Sequence, residues 1–284
     1  MRMSSFLILP TLLLVGCGDT IRSWDDQYEK WINNPEPYGG LDVLKKIKEA
    51  KDGGATEIDL SWSNISDLTP LTGLINLTSL NLWRNNISDL SPLEGRTNLR
   101  VLKLRDNKIS DITPLAGLTK LMELDLWDNK ISDITPLAGL TNLMELELEG
   151  KNISDLSPLA GLTNLTKLQL GETNISDLSP LARLANLESL SLSHNKISDI
   201  TWLAGLTNLW DLSLAHNKIS DISLLAKLTN LQLLNLTNTN ISDIKPLAGL
   251  TKLTWLDLNE NNISASQKEI LQEALPNTDI QFDW

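Results

Sequence analysis

Few residues in this chain have the types and spacing that chemistry requires. The only two histidines, His194 and His216, stand 22 positions apart, with Glu172 a further 22 positions before them. Two imidazoles and a carboxylate in one column could hold a divalent ion. That spacing recurs in every column of the sequence, so it carries no information about ligands. No residue that would orient either ring can be picked out. Carboxylate pairs such as Asp125 and Glu147 are abundant. On a flat, open surface they meet too much water for the raised pKa that a general acid needs. Nor does the sequence supply the wrapping loop that calcium requires. No nucleophile elbow, phosphate-binding glycine loop or HExxH motif occurs. Catalytic residues, a metal and a cofactor are therefore all expected to be absent.

What stands out instead is a recognition chemistry. Trp83, Arg105 and Trp127 lie 22 residues apart, bordered by Glu123, Asp125, Glu145, Glu147 and Glu149. Tryptophan beside arginine is the composition of a binding hot spot. Nine tryptophans against two tyrosines and two phenylalanines mean that the core is aliphatic and that indoles serve elsewhere. The whole chain carries 24 basic and 36 acidic residues. Such a surface repels phosphates and argues against nucleic acid as a partner. The single cysteine, Cys17, rules out an internal disulfide.

The elements that position these residues form a repeat. Residues 77–98 read LTSLNLWRNNISDLSPLEGRTN and residues 121–142 read LMELDLWDNKISDITPLAGLTN. The L-x-L centres begin at 58, 80, 102, 124, 146, 168, 190, 212, 234 and 256, without insertion. A sustained 22-residue period of this kind is a leucine-rich repeat. The fold class expected is an α/β solenoid: a leucine-rich repeat horseshoe with a parallel concave β-sheet and short 3-10 or helical convex turns. Alternation points the leucines inward and the intervening side chains outward. Each repeat buries its apolar face only against its neighbours.

The consensus assigns further roles. Asparagine after the strand (Asn85, Asn107, Asn129, Asn195, Asn217 and Asn261) is expected to turn inward and bond backbone groups of adjacent coils. Ser63, Thr173 and Thr239 keep a hydroxyl there, whereas Lys151 predicts a local loosening at repeat five. The column from Asp67 to Asp243 is expected to cap the convex turn. The proline three residues later presets its backbone. Trp202 and Leu224 replace that proline and are expected as an apolar pair on the convex face.

The 22-residue form with I-S-D-[IL]-x-P-L resembles the internalin family of bacterial surface proteins. The resemblance covers the array and implies binding of a protein ligand in the concave face. It does not extend to the termini. Four outward columns can be read from the repeat, flanking and following each L-x-L. Their forty positions hold 13 acidic and four basic residues. The expected partner is thus a protein of basic or mixed charge, bound by a monomer. A spacer role in the envelope, or sugar stacking on Trp83 and Trp127, are the alternatives.

The N-terminus reads as an address. Residues 1–16 combine Arg2 with the apolar run Phe6 to Val15, which is too short to span a bilayer. Leu14-Val15-Gly16-Cys17 resembles the bacterial lipobox, which implies lipidation of Cys17. Gly18 at the next position implies the outer membrane under the Gram-negative sorting rule. The expected organisation is signal peptide 1–16, tether 17–40, helical N-cap 41–54, ten repeats over 55–264 and a C-terminal cap over 265–284. Leu41, Leu44 and Ile47 are expected on the buried face of the N-cap. Ile270, Leu271 and Leu275 are expected on that of the C-terminal helix.

Overall fold

The computed structural model describes residues 23–283 apart from Asn174 and Ser176. The expected signal peptide over residues 1–16 and Cys17 lie outside the described residues. The L-x-L centres form β1 (Glu57–Asp59), β2 (Ser79–Asn81), β3 (Val101–Lys103), β4 (Glu123–Asp125), β5 (Glu145–Glu149), β6 (Lys167–Gly171), β7 (Ser189–Ser191), β8 (Asp211–Ser213), β9 (Leu233–Asn235) and β10 (Trp255–Asp257). With β11 (Asp279–Gln281) they make one open parallel sheet in sequential order. Register is held from coil to coil, with Ile58 opposite Leu80, Leu80 opposite Leu102, and so on. Equivalent positions of the repeat therefore stand side by side. The inward leucines and the isoleucine after each turn form one continuous buried stack from Ile47 to Phe282. This is the horseshoe architecture of a leucine-rich repeat solenoid.

Polar groups inside the stack are satisfied by the repeat itself. The amide of Asn107 donates to the Leu82 and Leu104 carbonyls at 3.0 and 2.9 Å, and its Oδ1 accepts from the Ile87 N–H at 3.0 Å. One buried side chain thus bridges two coils, as buried amides must to offset their desolvation. Thr239 keeps part of this, its hydroxyl donating to the Leu236 carbonyl at 2.8 Å. Outside the stack, the Asp column works in all nine coils. Asp67 Oδ1 accepts the Thr69 N–H at 2.8 Å, and each successive Asp through Asp243 does the same two residues on. The acceptor sits one residue before the N-cap and starts a short 3-10 turn on the convex side, for example Thr135–Gly139.

Repeat five departs from the rest. Lys151 has no acceptor oxygen with which to bridge to the preceding Ile131. Yet β5 and β6 are the longest strands, paired through Glu149 and Gly171. The residue that ends each strand's turn has positive φ in nine coils, from Trp62 (57°) to Glu260 (57°). Gly150 stands in that column without adopting it. There the chain packs so closely on the Ile131 carbonyl that a Cβ would lie 2.6 Å from the oxygen. Where Lys151 predicted a loosening, the sheet beside it instead gains the pairs Leu148–Leu170 and Glu149–Gly171.

The ends differ from expectation in several details. Residues 23–38, expected within a tether, fold onto the first coil. Helix α1 (Trp24–Trp31) begins with a capping box between Ser23 and Asp26. Trp24 donates from Nε1 to the Pro70 carbonyl at 2.8 Å, and Tyr28 and Trp31 are buried with Leu44. Aromatics too large for the solenoid stack close its end instead. Helix α2 (Leu41–Asp52) buries Leu44 and Ile47 but leaves Leu41 exposed, because Leu41 starts the helix ahead of the packed face. Helix α3 (Ala265–Ala274) buries Leu271, and Leu275 follows it into the core, while Ile270 faces outward. Trp202 is not an exposed convex residue. It is buried, and its Nε1 donates to the Asp199 carbonyl at 3.0 Å, while Leu224 is half-buried.

Candidate functional site

The outward positions of the strands converge on the concave face because every strand keeps the same register. Around β3 to β6 they form a lattice of charge and indole. Lys103 Nζ lies 2.9 Å from Glu123 Oε1. Lys167 Nζ lies 2.6 Å from Glu147 Oε1 and 3.8 Å from Glu145 Oε2. Arg105 Nη1 reaches Glu147 Oε2 at 3.8 Å. Three of the five acids expected at this site, Glu123, Glu145 and Glu147, therefore share three cations, of which sequence reasoning assigned only Arg105. Lys103 and Lys167 were legible as outward residues, and their shortest contacts, to Glu123 and Glu147, lie one coil away on a diagonal. Hydrogen bonds to Glu123 and Glu147 raise the pKa of Lys103 and Lys167 respectively.

Two acids in the lattice are held in the opposite sense. Burial pushes the Asp125 carboxyl above the usual range, against a hydrogen bond from the Trp127 N–H at 3.0 Å, and Glu147 adds to the rise. Burial also raises Glu149, helped by Glu172 and Asp128. Contrary to the expectation for a flat, open sheet, burial of these two carboxylates outweighs what the neighbouring cations restore.

The aromatic residues divide into two groups. The Arg105 guanidinium carbon lies 5.6 Å from the centroid of Trp127, and the indole extends along the sheet onto Gly171. Trp83 stands elsewhere. It meets Trp62 edge to face with centroids 5.5 Å apart, and Arg84 lies 3.8 Å over the Trp62 ring. Arg105 therefore stacks on Trp127 and is not shared between two indoles. Trp62 and Trp83 are 58% and 38% exposed, which makes this the most open aromatic patch on the sheet's edge. Trp62 was visible in the sequence but stood in the column after the strand. There the left-handed backbone turns the side chain back beside the preceding column.

The histidine column also resolves. His194 and His216 stack face to face, with centroids 4.2 Å apart and planes inclined by 13°. Glu172 pairs with Lys151 at 3.3 Å. Among the described residues no group of three His, Cys, Asp or Glu is arranged to hold a metal ion.

Comparison with known proteins accords with this geometry. Residues 97–139, 121–161 and 207–249 match Leucine Rich repeats (2 copies), residues 163–219 match Leucine rich repeat, and residues 76–95 match Leucine Rich Repeat. A comparison with curated protein sequences gives no match. Among solved structures, an internalin (inlF) from Listeria monocytogenes is 36% identical with a TM-score of 0.79, over 88% of this chain and 76% of that one. An internalin C2 (inlC2) from the same organism is 39% identical with a TM-score of 0.64, over 71% and 89%. The plant peptide hormone receptor RGFR1, solved in complex with RGF2, shares the fold at 22% identity with a TM-score of 0.63, over 80% of this chain and 40% of the receptor. Repeat solenoids of this kind use extended concave surfaces for binding. The identity to two internalins over most of their length establishes that this chain belongs to the internalin family of leucine-rich repeat proteins.

Proposed function

We propose that the chain is a non-catalytic binding module of the bacterial cell envelope that holds a protein ligand on its concave face. Trp83, Arg105 and Trp127 supply the anchoring side chains, with Glu123, Asp125, Glu145, Glu147 and Glu149 as the charged surround. The observation that carries this reading is the placement of Arg105. Its guanidinium is pre-oriented between the Trp127 ring and Glu147. An arginine held between a half-buried indole and a carboxylate has less entropy left to lose on binding than a free one. The ligand is a protein of basic or mixed charge, because the acids outnumber the cations that pair with them. Lipid on Cys17 attaches the module to the membrane, and Gly18 directs it to the outer membrane. Among the described residues no helix is long and apolar enough to cross a membrane.

The test is capture from envelope and culture extracts by residues 18–284 as a monomer, beside a W83A/R105A/W127A variant. Retention of one protein by the first bait and its loss from the second supports the concave site. Equal retention by both baits, or none, overturns it in favour of a spacer role. Binding that survives high salt and is competed by sugars favours stacking on the concave indoles. For the anchor, C17S should move the protein from the membrane fraction to the soluble fraction.

A further inference from the structure

A second surface lies on the flank of the solenoid, beside the strand starts. A groove of about 520 Å³ runs from Arg100 to Asn208, and a second of about 330 Å³ continues it past Trp210 to Lys252, sharing Glu188 and Asn208. One carboxamide per coil lines it. Asn142, Asn164, Asn186, Asn208 and Asn230 each donate from Nδ2 to a backbone carbonyl of the preceding coil, at 2.8–2.9 Å. That bond fixes the plane of every amide in the same sense. A carboxamide offers two donors and an acceptor oxygen. Each amide is therefore left with one N–H and its C=O beyond this bond.

The ends of this array are closed by the protein itself. Lysine takes the asparagine column at two coils, and Lys120 and Lys252 donate to Asn98 Oδ1 and Asn230 Oδ1 at 3.0 and 2.7 Å. Between them, the oxygens of Asn142, Asn164, Asn186 and Asn208 accept no bond among the described residues. Apolar surface accompanies them, with Met144 40% and Trp210 38% exposed.

We infer that this flank binds an extended, neutral β-linked glycan of about four sugar residues, one ring per coil. Strand stacking sets the amide spacing at about 4.8 Å, close to the advance of one ring in such a chain; alternate rings are turned over, so the same sugar edge returns at every second coil. An extended peptide laid along the groove repeats its same-side groups every ~6.7 Å and falls out of step. Fixed amides meet the hydroxyls, and Met144 and Trp210 meet the apolar ring faces. This site is separate from the concave face, so its failure leaves the protein-binding reading untouched.

The experiment is calorimetric titration with cello- and chito-oligosaccharides of two to six units. Affinity is expected to rise to about four units and then level off in at least one series. The decisive variant is N164K/N208K, which repeats the lysine closure already present at Lys120 and Lys252. It should weaken binding at least tenfold while leaving far-ultraviolet dichroism and a single cooperative unfolding transition in place, whereas W83A/R105A/W127A should bind as the parent does. Absence of binding in both series, or binding indifferent to N164K/N208K, overturns the proposal. So does binding lost in the concave variant alone.

Discussion

The indole of Trp127 rests on Gly171, two coils further along the sheet. A Cβ at residue 171 would lie 2.5 Å from Trp127 Cη2, so the glycine is the floor on which the ring lies. The ring's position sets that of Arg105, and the chain N–H of Trp127 holds Asp125. A residue without a side chain thus organises the centre of the concave face.

Replacing Gly171 with alanine should therefore lift the indole and disturb a site that the substitution does not chemically alter. Overpacking of this kind costs about 1–3 kcal/mol. The expected signature is a shifted tryptophan emission and a weakened ligand interaction, with far-ultraviolet dichroism unchanged. An unmoved emission spectrum would contradict the packing.

Arg96 occupies a column filled by buried leucines in neighbouring coils, such as Leu74 and Leu118. Its Nη2 donates to the Thr72 carbonyl at 2.7 Å, but its buried Nε has no partner. Burial lowers the pKa of the guanidinium, as expected for a charge drawn into the stack. Arg96→Leu should stabilise the protein by about 1–3 kcal/mol, combining a removed unsatisfied donor with restored apolar burial. Chemical denaturation of both proteins measures it.

Trp24 joins the N-terminal helix to the first coil through its bond to Pro70, and within the helix its ring packs against Tyr28 and Trp31 at centroid distances of 5.3 and 5.2 Å. Trp24→Ala should cost about 3 kcal/mol, the lower end for a large aromatic because the ring is only half-buried. Hydrogen exchange should rise first in α2 and β1, since an opened solenoid end unravels from that end.

Acid should act on the convex side through the Asp column. Hydrogen bonds from the following Thr or Ser hold Asp111, Asp133, Asp177 and Asp221 below the usual carboxylate range. A depressed folded pKa contributes stability that is present above the unfolded value, about 3.9, and is lost as pH falls through the folded one. Asn at positions 111 and 133 retains the acceptor oxygen and should flatten the acid limb of the stability profile, as thermal melts from pH 7 to pH 2 would show.

Asp125 carries the opposite sign. Its folded pKa is raised, chiefly by burial, so ionisation at neutral pH works against the fold and protonation relieves it. Asp125→Asn keeps the acceptor for the Trp127 N–H. It should raise the melting temperature at pH 7, with the advantage vanishing below the unfolded carboxylate pKa. An equal gain at pH 3 would show that charge is not the cause.

Much of this molecule is written into its repeat. Leucines at a fixed interval can be buried only by stacking coil on coil, so the parallel order and the in-line register of β1 to β10 follow from periodicity. The inward Asn and the turn-starting Asp are local backbone chemistry, acting within one coil or between adjacent ones. They were legible for the same reason. The site was legible only as columns. Residue type could not say that Trp83 would pair with Trp62, because that depends on the left-handed turn after each strand, which rotates the next side chain back over the sheet. Nor could it say that Lys103 and Lys167 would reach across a diagonal to the acids, or that Trp127 would lie down on Gly171. The caps were legible only in outline, since Trp24, Tyr28 and Trp31 lie outside the repeat and no period places them. Their docking against the first coil is decided by which apolar surface the open end of the solenoid leaves to be covered. The sequence by itself determined the solenoid because repetition makes every contact a neighbour contact. The tertiary structure decided the chemistry of its face, because long side chains reach past their own coil to partners that the period does not name.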